Sequence, residues 1–179
     1  MITFWHIQMY LPEGKGGTVI DSSDMLKEQT PIIGTGEWDD LQCQNFKTME
    51  EGSIVLVREG QRAIALCEIT GPNFQSEELR KKYIHVNFRR VRILQWAKDY
   101  CQPRVGLFSQ GTLRRAINGN TEQFKFIHNW HEKIKEMERI KEMERIIKNK
   151  SNIILQGAPG TGKTYSTVAL ALSLIPISS

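Results

Sequence analysis

Apolar and polar positions along the chain divide it into strand-like and helix-like stretches. Residues 2–10, Ile-Thr-Phe-Trp-His-Ile-Gln-Met-Tyr, predict a first strand, ended by Pro12 and the glycines at 14, 16 and 17. Asp21 to Gln29 predicts a short helix, capped by Ser22 or Ser23 with Asp24 in its first turn. Residues 31–40 read as a strand end running into a loop. A turn at Met49-Glu50-Glu51-Gly52 leads into a strand over Ser53–Arg58, and Glu59-Gly60-Gln61 connects it tightly to another over Arg62–Thr70. That pair predicts a β-hairpin. Ser76 to Tyr83 predicts a short charged helix. Ile84 to Trp96 reads as a strand with apolar alternation at Val86, Phe88, Val91 and Ile93, bent around Arg89-Arg90.

The pattern changes after residue 100. A connector at 101–120 precedes one long helical stretch, Thr121 to Lys150, with Asn120 and Gln123 in capping-box spacing. Ile127, Trp130, Ile134 and Met137 form an apolar stripe that meets Lys141 and Glu144 where it should continue. Residues 134–145 contain Ile-Lys-Glu-Met-Glu-Arg twice in succession. Six extra residues add about 9 Å of rise and rotate the downstream chain by about 120°. One copy therefore reads as an insertion. The simplest reading of this helix is a solvated, charged linker supported by (i, i+3) and (i, i+4) pairs. His128 and His131, three apart on it, read as ordinary helix histidines rather than metal ligands. A buried-type strand, Asn152–Gln156, then a glycine loop and a helical run from Lys163 close the chain.

Composition changes this picture little. The chain has 179 residues, 40% hydrophobic and 25% charged, with a net charge of +4. A mild basic excess suits nucleic acid without demanding it. Three cysteines, Cys43, Cys67 and Cys101, with no CxxC, argue against a disulfide framework or thiolate zinc site and suit a reducing cytoplasm. The N-terminal residues Met-Ile-Thr-Phe-Trp-His carry no basic or apolar leader pattern, so no signal peptide is expected, and the longest apolar stretch, Val168 to Ile177, is too short to span a bilayer.

The most specific motif is Gly157-Ala158-Pro159-Gly160-Thr161-Gly162-Lys163-Thr164, a full match to G-x-x-x-x-G-K-[ST] with an apolar strand before it and a helix after. The glycines let backbone N–H groups turn inward around a phosphate, and the helix N-terminus adds partial positive charge. Lys163 is expected to reach the β- and γ-phosphates of ATP or GTP, and Thr164 to place its hydroxyl on Mg²⁺. The fifteen residues after Thr164 contain no acidic group to hold that ion. Residues 151–179 are therefore expected to be a truncated P-loop segment without hydrolytic activity of its own.

Together these residues resemble AAA+ NTPases of the McrB type, from modification-dependent restriction systems. Over residues 2–97 the sequence resembles an EVE domain, of the PUA-like group. The segments carrying that likeness are Phe4-Trp5-His6, Gly34-Thr35-Gly36-Glu37-Trp38-Asp39, Met49 to Val57, Ala63 to Gly71, and Arg89-Arg90-Val91 leading to Trp96. Ser53 departs from the family pattern, which often has Asp there. The resemblance implies an α+β chain. Residues 1–100 would form a small PUA/EVE-like bent β-barrel and 101–150 a helical connector. Residues 151–179 would be the first strand, P-loop and helix of an α/β NTPase domain. It also implies DNA with a flipped modified base as partner, a possible nuclease subunit, and hexameric full-length relatives, with this chain a monomer.

A flipped base regains about 1–3 kcal/mol by stacking on an aromatic face. Trp5 and Trp38 are candidates for the pocket walls, and Thr35, Gly36, Glu37 and Asp39 for its polar edge. Arg62, Arg89 and Arg90 are candidates for phosphate contacts. Trp5 reads equally as core, and adjacent Arg89 and Arg90 point to opposite faces of a strand. Two alternatives stay open: an N-terminal adaptor that binds protein beside a generic AAA+ ATPase segment, and an RNA-binding PUA-like protein with a vestigial P-loop.

Overall fold

The first strand forms as its pattern predicts: β1 is Phe4–Gln8. A computed structural model describes residues 2–9, 22–36, 41–108, 111–117 and 121–149. Further strands are β2 (Ile32–Thr35), β3 (Ile54–Glu59), β4 (Arg62–Ile69), β5 (Asn87–Trp96) and β6 (Leu113–Arg115). The helices are α1 (Ser22–Leu26), α2 (Leu41–Thr48), α3 (Glu77–Tyr83) and α4 (Glu122–Asn149). Two compact units result, Met1–His131 and Glu132–Ser179.

The expected hairpin is β3–β4, whose turn uses Gly60 at φ 56°. β1 lies parallel to β3, and β6 pairs antiparallel with β1. The segment expected to be only a connector therefore supplies a strand, and the sheet does not end near residue 100. Strand order is β2-β5-β4-β3-β1-β6. β5 pairs with β2 through Asn87–Arg90 and with β4 from Val91 onward, so it changes partner at the bend expected at Arg89-Arg90. The result is a mixed α+β unit built on a curled six-stranded half-barrel with β2 and β6 at the two ends of the strand order, in keeping with the bent barrel expected. The curl brings Met9, just past β1, to β2, where its sulfur accepts the Gly34 N–H at 3.3 Å.

Alternation sends β1 to two interiors. Trp5, Ile7 and Met9 join Val55, Val57, Ala65 and Cys67 in a core closed by Met25 and Leu26 of α1, Phe46 of α2 and Tyr83 of α3. Phe4 and His6 face the other way. Phe4 meets Phe124 edge-on at 5.4 Å and His131 at 5.7 Å, and Phe108 lies 5.0 Å from His6. Trp130 is fully buried there, stacked on Tyr100 at 4.8 Å, and its Nε1 donates to Gln95 Oε1 at 2.7 Å.

The start of α4 is thus part of the first unit's second core, which corrects the reading of a solvated linker. Its cap differs too: Thr121 Oγ1 accepts the Phe124 N–H at 3.3 Å, and Gln123 reaches the Leu107 carbonyl at 2.8 Å instead of completing a capping box. Ile127, Trp130, His131 and Ile134 are buried, whereas Met137, next on the stripe, is 42% exposed. Beyond it the covered positions among the described residues are Ile140, Met143, Glu144 and Ile147.

Candidate nucleic-acid interface

Of the predicted site residues, Gly157 through Thr164 and Glu37, Trp38 and Asp39 lie outside the described residues. Thr35 ends β2, Gly36 follows it, and α2 begins at Leu41.

His85, Asn87 and Arg89, spaced two apart, are 4%, 1% and 3% exposed. Buried polar groups need partners. Asn87 Nδ2 donates to the Gly36 carbonyl at 3.2 Å and to the Cys43 sulfur at 3.5 Å. The Cys43 thiol donates to the same carbonyl at 3.6 Å. Asn87 Oδ1 accepts from Asn73 Nδ2 at 3.5 Å and from Gln75 Nε2 at 3.4 Å. A chain of carboxamides thus runs from the 73–75 segment, through the first residue of β5, to the Gly36 carbonyl just past β2. Among the described residues, Asn73 Oδ1 is buried with no partner.

His85 lies beside this chain. Burial pushes its pKa down to about 4, opposed by a hydrogen bond with the Met9 backbone, so the ring is neutral near pH 7. Its Nε2 has no partner among the described residues. Gly34 is a close-approach position: a Cβ there would sit 2.8 Å from Met25 Cε and 3.0 Å from His85 Cδ2.

The three candidate arginines part company. Arg89 is not a surface group: it donates to the Lys47 carbonyl at 3.0 Å and the Gly71 carbonyl at 3.4 Å. Burial lowers its pKa while Glu51 opposes, and its charge faces the C-terminal end of α2. Arg62 is exposed and paired with Glu59, its Nε 3.1 Å from the carboxylate. Arg90 is exposed on the β2–β5 edge, its guanidinium 5.7 Å from the centre of the Phe74 ring. Phe74 in turn packs 5.9 Å from Phe88. Only Arg90 shares the edge of the carboxamide chain.

Trp5 belongs to the core, 7% exposed, with Nε1 donating to Thr3 Oγ1 at 3.0 Å and Arg115 over its ring at 5.8 Å. A ring packed in this way offers no open face, so the expectation of a pocket wall at Trp5 is corrected. Trp38 remains the loop aromatic.

Sequence reasoning missed Asn73, Gln75, Asn87 and His85. Asn within a strand run was the available signal, since strands are depleted in it. It also missed Arg58, which is buried and donates from Nε to His6 Nδ1 at 3.1 Å and from its other nitrogens to Gln8 Oε1, Gly60 O and Gly111 O at 2.6, 2.6 and 3.0 Å. Burial and Arg114 lower its pKa to about 10, so it stays charged at neutral pH. Burial, then Arg58 and Arg114, lower that of His6 to about 3. This cluster ties β1, β3 and the entry to β6 together. Among the described residues there is no group of three metal-binding side chains, and no helix long and apolar enough to cross a membrane.

No family model matches the sequence, and no curated protein matches it. Solved structures give weak likenesses. Human THYN1 protein in complex with 5-methylcytosine-containing DNA is 12% identical, with a TM-score of 0.38, covering 97% of this chain and 99% of that one. The DUF55 domain of human thymocyte nuclear protein 1 is also 12% identical, with a TM-score of 0.39 and the same coverage. Likeness at this level does not establish a shared fold or a shared ligand.

Proposed function

We propose that the Met1–His131 unit is an EVE/PUA-like reader of a modified base in DNA, and that Gly157–Thr164 binds the phosphates of ATP or GTP with Mg²⁺, as in a McrB-like NTPase. The observation that carries the first part is the carboxamide chain that runs through buried Asn87 to the Gly36 carbonyl, two residues before Trp38 in the sequence. Such a chain fixes polar groups at the end of β2, next in sequence to Trp38, whose aromatic side chain can stack on an unstacked base. Thr35, Gly36, Glu37 and Asp39 line the same stretch of chain, and Arg90 is the cation placed to meet a phosphate. The second part rests on the motif alone: its glycines supply backbone donors, Lys163 the charge between phosphates and Thr164 the hydroxyl for the ion. A nuclease subunit and a hexameric assembly are what such a function would use.

Fluorescence anisotropy of the full chain at fixed salt tests the reader. The ligands are matched duplexes with cytosine, 5-methylcytosine, adenine or N6-methyladenine, plus one RNA. Tighter binding to one modified duplex is expected, with the preference removed by Trp38→Ala. Arg90→Ala should weaken all DNA ligands alike and reduce the salt slope by about 1. Equal, weak binding to every ligand would leave only phosphate attraction and defeat the proposal.

A further inference from the structure

β6 is the last strand of the sheet, and its outer edge meets no other strand among the described residues. The Gln8 N–H donates to the Thr112 carbonyl at 2.6 Å and the Ala116 N–H to the Phe4 carbonyl at 2.8 Å, so the even-numbered residues here turn their backbone toward β1. Alternation along an antiparallel pair then turns the backbone of Leu113 and Arg115 outward. The Leu113 N–H is already taken: Gln42 Oε1 accepts it at 3.0 Å, together with the Thr112 N–H at 2.7 Å. A peptide strand therefore finds neither the length nor the first donor it needs to extend the sheet. What the edge offers is the Arg115 N–H and two exposed guanidinium groups, Arg114 and Arg115.

The surroundings leave this charge standing. Arg62, Arg80 and Arg92 are each paired with a glutamate. Arg115 pairs with no carboxylate among the described residues, and its guanidinium is held 5.8 Å from the centre of the Trp5 ring. β1 and α2 pack against β6, and neither contains Asp or Glu. Residues 100–121 contain three arginines and no acidic residue. Behind the edge, burial and then the charge of Arg114 lower the pKa of buried Arg58, which still stays protonated at neutral pH. Two exposed cations beside a buried one set up a positive field that draws an anion.

The edge also adjoins the carboxamide chain. Gln42 holds Thr112 and Leu113, and the next residue, Cys43, donates to the Gly36 carbonyl at 3.6 Å. β6 and the end of β2 thus flank the first turn of α2. We infer that Arg114 and Arg115, on the open edge of β6, hold the phosphodiester backbone of the DNA that the first unit reads. The inference rests on the DNA-reading function proposed above and adds a contact to it. A backbone N–H and arginine forks are the donors that phosphate oxygens take, and such a contact adds affinity without base preference.

The test is a salt titration of the full chain against an unmodified duplex of about 20 base pairs, between about 50 and 200 mM salt. Each phosphate contact contributes about 0.9 to the slope of log affinity against log salt. The double variant Arg114→Gln, Arg115→Gln should lower that slope by about 1.8. The double variant Arg80→Gln, Arg92→Gln removes the same net charge from arginines already paired, and should lower it by less than about 0.5. Arg115→Gln alone, at an exposed side chain, should give about half the full drop and decides if the β6 double variant fails to fold. Preference for a modified duplex should be the same in every variant. Equal drops in the two double variants, or none, would leave the β6 arginines as guards against edge pairing and overturn the inference. The expected drops without preference for any modified duplex would keep the β6 contact and defeat the base reader. No binding of any duplex would defeat both.

Discussion

Trp130→Ala should destabilise the first unit by about 4 kcal/mol. Trp130 is fully buried, its indole stacks on Tyr100 with ring centres 4.8 Å apart, and Nε1 donates to Gln95 at 2.7 Å. A buried Trp removes about 150–250 Å² from water and gains about 0.5–1.5 kcal/mol from its aromatic pairing. The hydrogen bond adds about 1 kcal/mol, and measured Trp→Ala losses in cores run about 3–5 kcal/mol. With a urea slope of about 2 kcal/mol per molar, the midpoint should fall by about 2 M. Trp130→Phe keeps most of the area and loses only the donor, so about 1–2 kcal/mol is expected. Urea unfolding of the full chain, followed by near-UV circular dichroism, reads both variants. A loss below about 1 kcal/mol for Trp130→Ala would mean that α4 is a solvated rod, and the docking of its N-terminal turns on the sheet would be wrong.

Acid should destabilise the first unit through its two buried histidines. The pKa values of His85, about 4, and His6, about 3, lie below the value of 6.5 for a free histidine, so the unfolded chain binds more protons between those limits. Stability is then full above pH 6.5 and falls by up to about 1.4 kcal/mol per pH unit per histidine below it. His85→Gln should flatten the pH dependence of the urea midpoint between pH 6.5 and 4.5, and an unchanged slope would refute that role. Gly34→Ala should cost about 1–3 kcal/mol, because its Cβ would press on Met25 and His85, and a neutral result in thermal melts would contradict the packing. Ile84→Gly should raise stability by about 1 kcal/mol, since Ile84 is held at φ 58° while 47% exposed, and a lower melting temperature would argue against that strain. Lys163→Ala should abolish binding of a fluorescent ATP or GTP analogue, and retained affinity would refute the phosphate site.

Local rules were enough wherever the controlling residues were adjacent. The β3–β4 hairpin follows from two apolar runs around Gly60, and α3 from Ser76, whose Oγ accepts the Leu79 N–H at 3.3 Å. α2 escaped because only Cys43 and Phe46 in it are buried, too few to display a helical period. β6 escaped because three residues, Leu-Arg-Arg, carry no strand signal, and their pairing with β1 is more than a hundred residues away in the chain. The polar floor escaped for a sharper reason. Alternation places Val86 and Phe88 inside and so assigns His85, Asn87 and Arg89 to solvent. A strand covered on both faces breaks that rule, and the partners that satisfy these residues, Gly36, Cys43, Lys47, Gly71 and Asn73, are distant in sequence. The resemblance to an EVE domain pointed to residues 35–39, which follow β2 in the sequence, but it could not supply the buried polar residues themselves.

The central claim is that a modified base leaves the duplex to enter the site beside Trp38. Emission of 2-aminopurine placed next to the modified nucleotide reports this directly, because loss of stacking raises it. Saturating the modified duplex with the full chain should raise the emission, while the unmodified duplex and the Trp38→Ala variant should leave it unchanged. Saturated binding of the modified duplex with no change in emission would show recognition from a groove, and the base-reading account would be wrong.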